Sequence, residues 1–344
     1  MVVNLKDLSL EGMEALIAGL GKERYRARQI MRWLYCYGAS SFEEMTDLAK
    51  ELRAELGRTA RISSLALLAM ERSPDGTGKY LFGLEDGNQV ESVLIPDDGR
   101  LTLCISTQAG CAMGCRFCLT GLGGFARDLT SGEILDQMVG VGRGLEPGER
   151  ITNCVLMGMG EPLANYDRVT GALGIMASDL GFGLSRRRIT LSTVGLIPQI
   201  KRLFAERVPC RLAISLNATT QKVRSFLMPI SKRYPLSALL AACRALPLAP
   251  RERITFEYVL IQGVNDSEAD AGRMAQILRG IRCKVNLIPF NECPGILFRR
   301  PQEKVVLRFQ KVLMDAGYLA IIRESRGSAI SAACGQLRGR ITGS

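Results

Sequence analysis

From about residue 100 onward, short apolar runs alternate with longer segments whose apolar residues recur at helical spacing. The short runs are typical of buried strands and the longer segments of amphipathic helices. We predict strands at 101–107, 153–158, 188–193, 211–216, 255–261 and 284–289. We predict helices at 131–144, 165–179, 196–206, 236–246, 267–280 and 301–315. This order of six βα units favours an α/β fold with a parallel sheet, either doubly wound or closed into a partial barrel.

The first part of the chain has a different pattern. Ser9 is a candidate N-cap for a first helix, and residues 25–37 and 42–56 predict two more. Residues 64–95 then alternate between apolar and polar, as strands of a hairpin do. We therefore predict a small helical N-terminal domain with a hairpin linker over 1–88, and a catalytic core over 89–344.

Composition limits the class of protein. The chain has 344 residues, 47% of them hydrophobic, which suits two or three domains or one large barrel with an appendage. No apolar run approaches the ~18 residues of a membrane span. The first residues also lack the pattern of a signal peptide. We expect a cytoplasmic protein without membrane contact.

The formal net charge is +11, which suits a protein that neutralises phosphates. Charge alone leaves nucleic-acid binding and an ordinary solvated surface equally open. In the helical domain, basic residues occur at Lys22, Arg24, Arg26, Arg28 and Arg32. Further clusters are Arg186 to Arg188, Lys222 with Arg224, Lys232 with Arg233, Arg299 with Arg300, Arg323 with Arg326, and Arg338 with Arg340.

The chain contains 11 cysteines and no histidine. Without histidine, Ser–His and Cys–His nucleophile pairs are impossible, and the usual catalytic zinc sites lose their main ligand. An odd number of cysteines in a cytosolic chain points to metal or redox chemistry. The reaction must therefore use other side chains or a cofactor.

Three cysteines form a C-x₃-C-x₂-C loop directly after the first predicted barrel strand: Cys111, Cys115 and Cys118. Zinc normally takes a fourth protein ligand, and no further cysteine follows nearby. A [4Fe–4S] cluster held by three thiolates would leave one iron open to a small molecule. Buried free thiols, or a structural zinc with a distant cysteine, are the alternatives.

This loop, in this position, resembles the signature of the radical S-adenosylmethionine (SAM) superfamily. The resemblance implies a partial (βα)₆ barrel, related to a TIM barrel, and one [4Fe–4S] cluster. It also implies that the open iron binds the amine and carboxylate of SAM, which is then cleaved to a 5′-deoxyadenosyl radical.

Distinctive residues follow the other predicted strands, at the edge where barrel enzymes build their sites. Gly160 lets the backbone approach a ligand closely, and Glu161 suits hydrogen bonds from the SAM amine. The cofactor-binding candidates are Gly160, Glu161, Ser192, Ser215, Leu216, Asn217 and Asn291.

Two more cysteines stand out. Cys104 lies within the first barrel strand, where a lone cysteine is usually a small buried apolar residue. Cys334 lies in a segment of small residues and glycine, which predicts a loop with a reactive thiol.

With these residues the resemblance narrows to the rRNA and tRNA adenine methyltransferases of the RlmN and Cfr type. It extends over nearly the whole chain; the matching segments are 25–30 with Trp33, 90–93, 104–118, 158–162, 215–218 and 326–337. Asn217 departs from the family pattern, since many members carry histidine there.

The resemblance implies a role for each remaining candidate. Cys334 is methylated by a first SAM, and a radical from a second SAM removes hydrogen from that methyl group. The methylene radical adds to adenine, Glu91 accepts a proton, and Cys104 releases the product by forming a disulfide with Cys334. The implied substrates are 23S rRNA and tRNAs, methylated on adenine carbon 2.

The implied partners also include an electron donor such as flavodoxin or ferredoxin, and the expected state is a monomer. Methylation of carbon 8, as in Cfr, is the main alternative. A non-catalytic RNA-binding protein with a structural metal is the second.

Overall fold

The computed structural model describes residues 2–324 and 326–339. Near its N-terminus it has three helices, α1 (Leu10–Gly19), α2 (Tyr25–Tyr35) and α3 (Lys50–Thr59). The hydroxyl of Ser9 accepts a hydrogen bond from Gly12 N, which confirms the predicted cap of α1. The short strands β1 (Val3–Asn4) and β2 (Ala60–Arg61) pair in parallel, and so join the two ends of this unit.

The helix predicted over 42–56 is wrong in its first half, because α3 begins only at Lys50. Phe42, Met45 and Leu48 are buried at a spacing of three, which had suggested a helix. The chain there forms turns instead. The carboxylate of Glu44 accepts hydrogen bonds from backbone N–H groups just before it, which stabilises the turn.

Ten strands form one sheet, in the order β14-β13-β12-β11-β10-β9-β6-β5-β4-β3. Strands β3 to β6 are antiparallel, whereas β6 and β9 to β14 run parallel. The bounds are β3 Ala66–Arg72, β4 Gly78–Gly83, β5 Gln89–Asp97, β6 Arg100–Cys104, β9 Asn153–Leu156, β10 Ile189–Thr193, β11 Arg211–Ser215, β12 Ile254–Leu260, β13 Cys283–Pro289 and β14 Ala320–Ile322. Strands β7 (Gln108–Gly110) and β8 (Phe125–Asp128) form a separate antiparallel pair.

Helices connect the parallel strands, as the pattern predicted. They are α4 (Leu119–Leu122), α5 (Ser131–Gly142), α6 (Tyr166–Ala177), α7 (Ile197–Ala205), α8 (Gln221–Leu227), α9 (Leu236–Arg244), α10 (Glu268–Ile277) and α11 (Glu303–Asp315). The six predicted strands and six predicted helices are all present. The partial βα barrel is confirmed, and its parallel strands end together on one rim.

A buried ion pair joins the helical unit to the barrel. Lys6, which is fully buried, pairs with Asp136 on α5. The same carboxylate accepts a hydrogen bond from the hydroxyl of Ser63 at 3.0 Å. Asp7 accepts another from the backbone N–H of Gly132, at the start of α5. These contacts fix the helical unit on one helix of the barrel.

Within residues 2–324 and 326–339, no helix is long and apolar enough to cross a membrane.

Candidate active site

The cysteine loop lies at the end of β7, against α8. The N–H of Cys111 donates to Gly124 O at 2.7 Å, and the N–H of Arg116 donates to Leu227 O at 3.0 Å. Cys111, Cys115 and Cys118 all line one cavity, whose empty volume, including the part open to solvent, is about 980 Å³. We call this space the cluster cavity.

The same cavity receives most of the predicted cofactor residues, because the parallel strands end around it. Its lining includes Gly160, Glu161, Ser192, Ser215, Asn217, Asn291 and Cys334. Leu216 is different: it is fully buried in the core and is not among the lining residues described for this cavity.

Glu161 is held rigidly at the rim. Its Oε1 accepts from Leu163 N at 3.1 Å, and its Oε2 accepts from Val194 N at 2.8 Å. Burial raises the pKa of Glu161 to about 7, although these hydrogen bonds oppose the shift. Gly160 has φ of 101°, and a Cβ there would lie 2.6 Å from Gln108, so only glycine suits this turn.

Asn217 occupies the left-handed region with φ of 55°, which asparagine tolerates better than most residues. Its Oδ1 accepts from Val259 N at 2.9 Å, and its Nδ2 donates to Met228 Sδ at 3.4 Å. The carboxamide therefore shapes the cavity wall. Asn291 donates through Nδ2 to Cys334 O at 3.3 Å, which ties the C-terminal segment to the end of β13.

The loop that carries Cys334 is bound by the segment after the cluster cysteines and by the hairpin strand β4. On the cluster side, Leu119 N donates to Gly335 O at 2.8 Å, and the Thr120 hydroxyl donates to Leu337 O at 2.6 Å. On the hairpin side, Lys79 Nζ donates to Ile330 O at 2.7 Å. These contacts place the loop across the barrel, beside the cluster cavity.

Cys334 also faces a second space, which we call the basic cavity. The empty volume of this space, including the part open to solvent, is about 1510 Å³, and both Cys104 and Cys334 line it. Its basic residues are Arg100, Arg187, Arg188, Arg211, Lys284, Arg323 and Arg326. Both cysteines are free thiols, Cys104 buried and Cys334 exposed to the cavities. Burial raises the pKa of both thiols, that of Cys334 to about 11.

Glu91 lies on β5, where its Oε2 accepts hydrogen bonds from Arg338 N at 2.7 Å and Gly339 N at 3.3 Å. Lys79 Nζ is 3.9 Å from its Oε1. The carboxylate thus anchors the chain that follows Cys334. Its role as proton acceptor stays a prediction.

Glu257 is a buried carboxylate that sequence reasoning missed. It lies on β12 and lines both cavities. Asn286 Nδ2 donates to its Oε1 at 2.9 Å, and burial raises its pKa to about 7. Its charge in turn raises the pKa of Cys334. The available signal was a charged residue in an otherwise apolar strand.

The three cysteines fit an iron–sulfur cluster. Burial raises the pKa of Cys111 to about 12 and also raises that of Cys115 well above its usual value, so thiolates there require a cationic partner such as iron. All three cysteines face one cavity, in which each thiolate would bind a different iron of a cubane.

Only some of the predicted basic clusters lie at the basic cavity in the structure. Arg187, Arg188, Arg323 and Arg326 line the basic cavity. Arg186 instead pairs with Glu252 and donates to Cys210 O. Arg224 is fully buried, so it does not form an exposed basic cluster with Lys222. Arg340 lies outside the described residues.

Comparison with known proteins agrees with this geometry. The model of the ribosomal RNA large subunit methyltransferase N-terminal domain matches residues 3–62, and that of the radical SAM superfamily matches residues 105–274. A crystal structure of a radical SAM methyltransferase from Sphaerobacter thermophilus superimposes with a TM-score of 0.92 at 45% identity, covering 98% of this chain and 99% of that one.

The curated relatives extend over nearly the full length. The dual-specificity RNA methyltransferase RlmN of Geobacter sulfurreducens is 54% identical over 340 residues, which are 99% of this chain and 93% of the relative. The protein of that name from Geotalea uraniireducens is 54% identical over 339 residues, 98% of this chain and 97% of the relative.

The barrel, the cysteine loop and the superfamily match define a radical SAM enzyme, a class that uses a [4Fe–4S] cluster and SAM. The predicted cofactors are thereby confirmed for the class. Within it, the chain belongs to the RlmN family of RNA methyltransferases.

Proposed function

We propose that this protein methylates carbon 2 of adenine in 23S rRNA and in tRNAs, consuming two SAM molecules per turnover. The observation that carries the proposal is the position of Cys334, which faces both cavities. One cavity holds the cysteines and rim residues suited to the cofactors. The other holds Cys104 and the basic residues suited to RNA.

Cys111, Cys115 and Cys118 would hold the cluster, and the rim residues from Gly160 to Asn291 would hold SAM. When bound, these groups supply a methyl group and a 5′-deoxyadenosyl radical, chemistry that adenine carbon 2 requires because it is not nucleophilic. Glu161, with both oxygens fixed by backbone N–H groups, is oriented to accept hydrogen bonds from the SAM amine.

The chain's own residues complete the reaction. Cys334 carries the methyl group on Sγ and presents it toward the basic cavity. Glu91 would take the proton from adenine carbon 2 as the adduct radical gives up one electron, for which the oxidised cluster is the acceptor. The Cys104 thiolate would then attack Cys334 Sγ: the S–S bond forms while the bond between Cys334 Sγ and the methylene carbon breaks. The electron pair of that bond goes to the base, which takes up a proton and leaves methylated, and an external thiol reduces the disulfide for the next turnover. Cys104 suits this step because it lines the same cavity as Cys334 and remains a free thiol.

RNA recognition would use the basic cavity first. Phosphates bind arginine and lysine regardless of sequence, and the target adenine must leave its stack to enter. Residues 1–88 would form the accessory RNA-binding domain and linker, and 89–344 the catalytic core. Lys22, Arg24, Arg28 and Arg32 are exposed on the helical unit, which suits additional phosphate contacts.

Radical formation needs one electron, so a flavodoxin or ferredoxin is the expected donor. A cytoplasmic location fits substrates of this kind, and a monomer is the expected state. Carbon 8 is the less favoured target, because the curated relatives compared above carry the name RlmN rather than Cfr.

Mass spectrometry of 23S rRNA from a deletion strain tests the proposal. We expect 2-methyladenine to disappear on deletion, and to return with the wild-type gene but not with Cys334→Ala. Cys243→Ala is the matched control, since Cys243 is buried on α9. Persistence of 2-methyladenine after deletion would refute the function, and loss of 8-methyladenine would favour the alternative.

A further inference from the structure

Arg224 is a buried cation for which the reaction above provides no use. It lies on α8, next to the cysteine loop, and its side chain is fully buried. Burial lowers its pKa to about 10, so it still carries a positive charge at neutral pH. Lys222, two residues earlier, is exposed.

The guanidinium holds together the ends of two strands at the cofactor rim. Its Nη2 donates to Val194 O at 2.7 Å and to Ser215 O at 3.2 Å. Its Nε donates to Leu216 O at 3.1 Å. The N–H of Val194 donates to the Glu161 carboxylate. Both backbone polar groups of Val194 are therefore bound, the carbonyl by Arg224 and the N–H by Glu161.

The remaining nitrogen, Nη1, is buried and has no hydrogen-bond partner among the described residues. A buried charge without a carboxylate partner is costly, typically by several kcal/mol. Carbonyl oxygens satisfy only part of this guanidinium. Cys115 packs in one buried cluster with Leu227 and Met228 at the end of α8. Burial raises the pKa of Cys115, and the charge of Arg224 opposes that rise. α8 also supplies Leu227 O, which accepts from Arg116 N in the cysteine loop.

We propose that Arg224 is a positioning residue that places a fixed positive charge beside Cys115 and thereby raises the reduction potential of the cluster. The inference rests on the proposed function, which puts a cluster on these cysteines. Reduction adds one electron and hence one negative charge to a site already bearing three thiolates. A fixed cation stabilises that reduced state more than the oxidised one.

The test is an anaerobic redox titration with dithionite and mediators, followed by electron paramagnetic resonance of the reconstituted full-length protein. Arg224→Gln removes the charge but keeps a hydrogen-bond donor. We expect its reduction equilibrium to fall at least tenfold, which is about 59 mV for a one-electron couple. Arg224→Lys keeps the charge and should stay near the wild-type potential. Lys222→Gln, on the same helix, is the exposed control.

Iron and sulfide assays separate the two proposals. A wild-type protein that binds no cluster would overturn the proposed function and this inference together. Equal potentials in fully loaded wild type and Arg224→Gln would overturn the inference alone. If Arg224→Gln fails to fold, Arg224→Met takes its place: a tenfold lower reduction equilibrium supports the charge role, and a wild-type potential refutes it.

Discussion

Glu91 and Cys104 point onto the same face of the sheet from neighbouring antiparallel strands. Cys104 on β6 pairs directly with Val93 on β5, and Glu91 lies two residues before Val93. Side chains two apart on a strand share a face, and so do directly paired residues. The expected proton acceptor and the expected resolving thiol are therefore diagonal neighbours on one face of the sheet. On that face Glu91 accepts a hydrogen bond from Arg338 N, in the segment that follows Cys334.

This arrangement predicts that Cys104→Ala stalls the reaction after carbon–carbon bond formation. The variant should still carry a methyl group on Cys334 but retain RNA covalently, because no thiol remains to release it. Labelled RNA that co-migrates with the protein on a denaturing gel would demonstrate the adduct. Cys210→Ala, at a buried position just before β11, should release product normally. Free product from Cys104→Ala at the wild-type rate would contradict the assigned role.

Cluster binding should depend on each cysteine of the loop. Cys115→Ala removes one of three thiolates, so we expect loss of most bound iron and sulfide after anaerobic purification. The protein should lose its brown colour while its circular dichroism stays that of the wild type. Cys243→Ala should bind as much iron as the wild type. Full iron content in Cys115→Ala would show that the cluster has other ligands.

The ion pair between Lys6 and Asp136 should contribute strongly to stability, since both groups are buried. Lys6→Met leaves the Asp136 carboxylate without its cation, and breaking a buried pair in this way typically costs about 3–5 kcal/mol of unfolding free energy. Urea denaturation measures the loss, with exposed Lys22→Met as the control. Lys6→Met combined with Asp136→Leu should recover most of it. A loss below about 1 kcal/mol would mean that water reaches the pair.

We expect the unfolding free energy of the protein to depend on pH because Glu257 is buried. Its folded pKa of about 7 lies above the usual 4.5, so the folded state favours the protonated form. The stabilisation that the folded state gains from the protonated carboxyl is fully present below pH 4.5 and is lost as the pH rises through 7. Glu257→Gln imitates the protonated group, so its advantage over wild type should grow from near zero at pH 4.5 to about 3 kcal/mol at pH 8.

Urea denaturation at the two pH values measures this difference, and the exposed Glu146→Gln should show none. In the cluster-free protein, removal of the Glu257 charge should also lower the pKa of Cys334. Mass spectrometry should then find faster alkylation of Cys334 by iodoacetamide at pH 8. An unchanged rate would mean that the two groups do not interact.

The sequence by itself determined the six βα units and the residues of the cofactor rim, while the choice of a barrel over an open sheet came from the family resemblance. Strand and helix periodicity is local, so the six βα units could be read from the chain with errors of a few residues. Parallel strands bring their carboxyl ends to one edge, so Gly160, Ser192 and Ser215 were predicted together with the cysteine loop. The turn at 42–49 was missed because buried residues at a spacing of three also suit a helix.

Only the tertiary structure decided which distant residues share a space. Cys104 and Cys334 lie far apart in sequence, and only the folding of the C-terminal loop across the barrel puts both in one cavity. The sequence also does not show which of Lys222 and Arg224 is buried, because both lie on one short helix. The packing of α8 against the barrel exposes one and buries the other, because the direction a side chain faces depends on what its helix packs against.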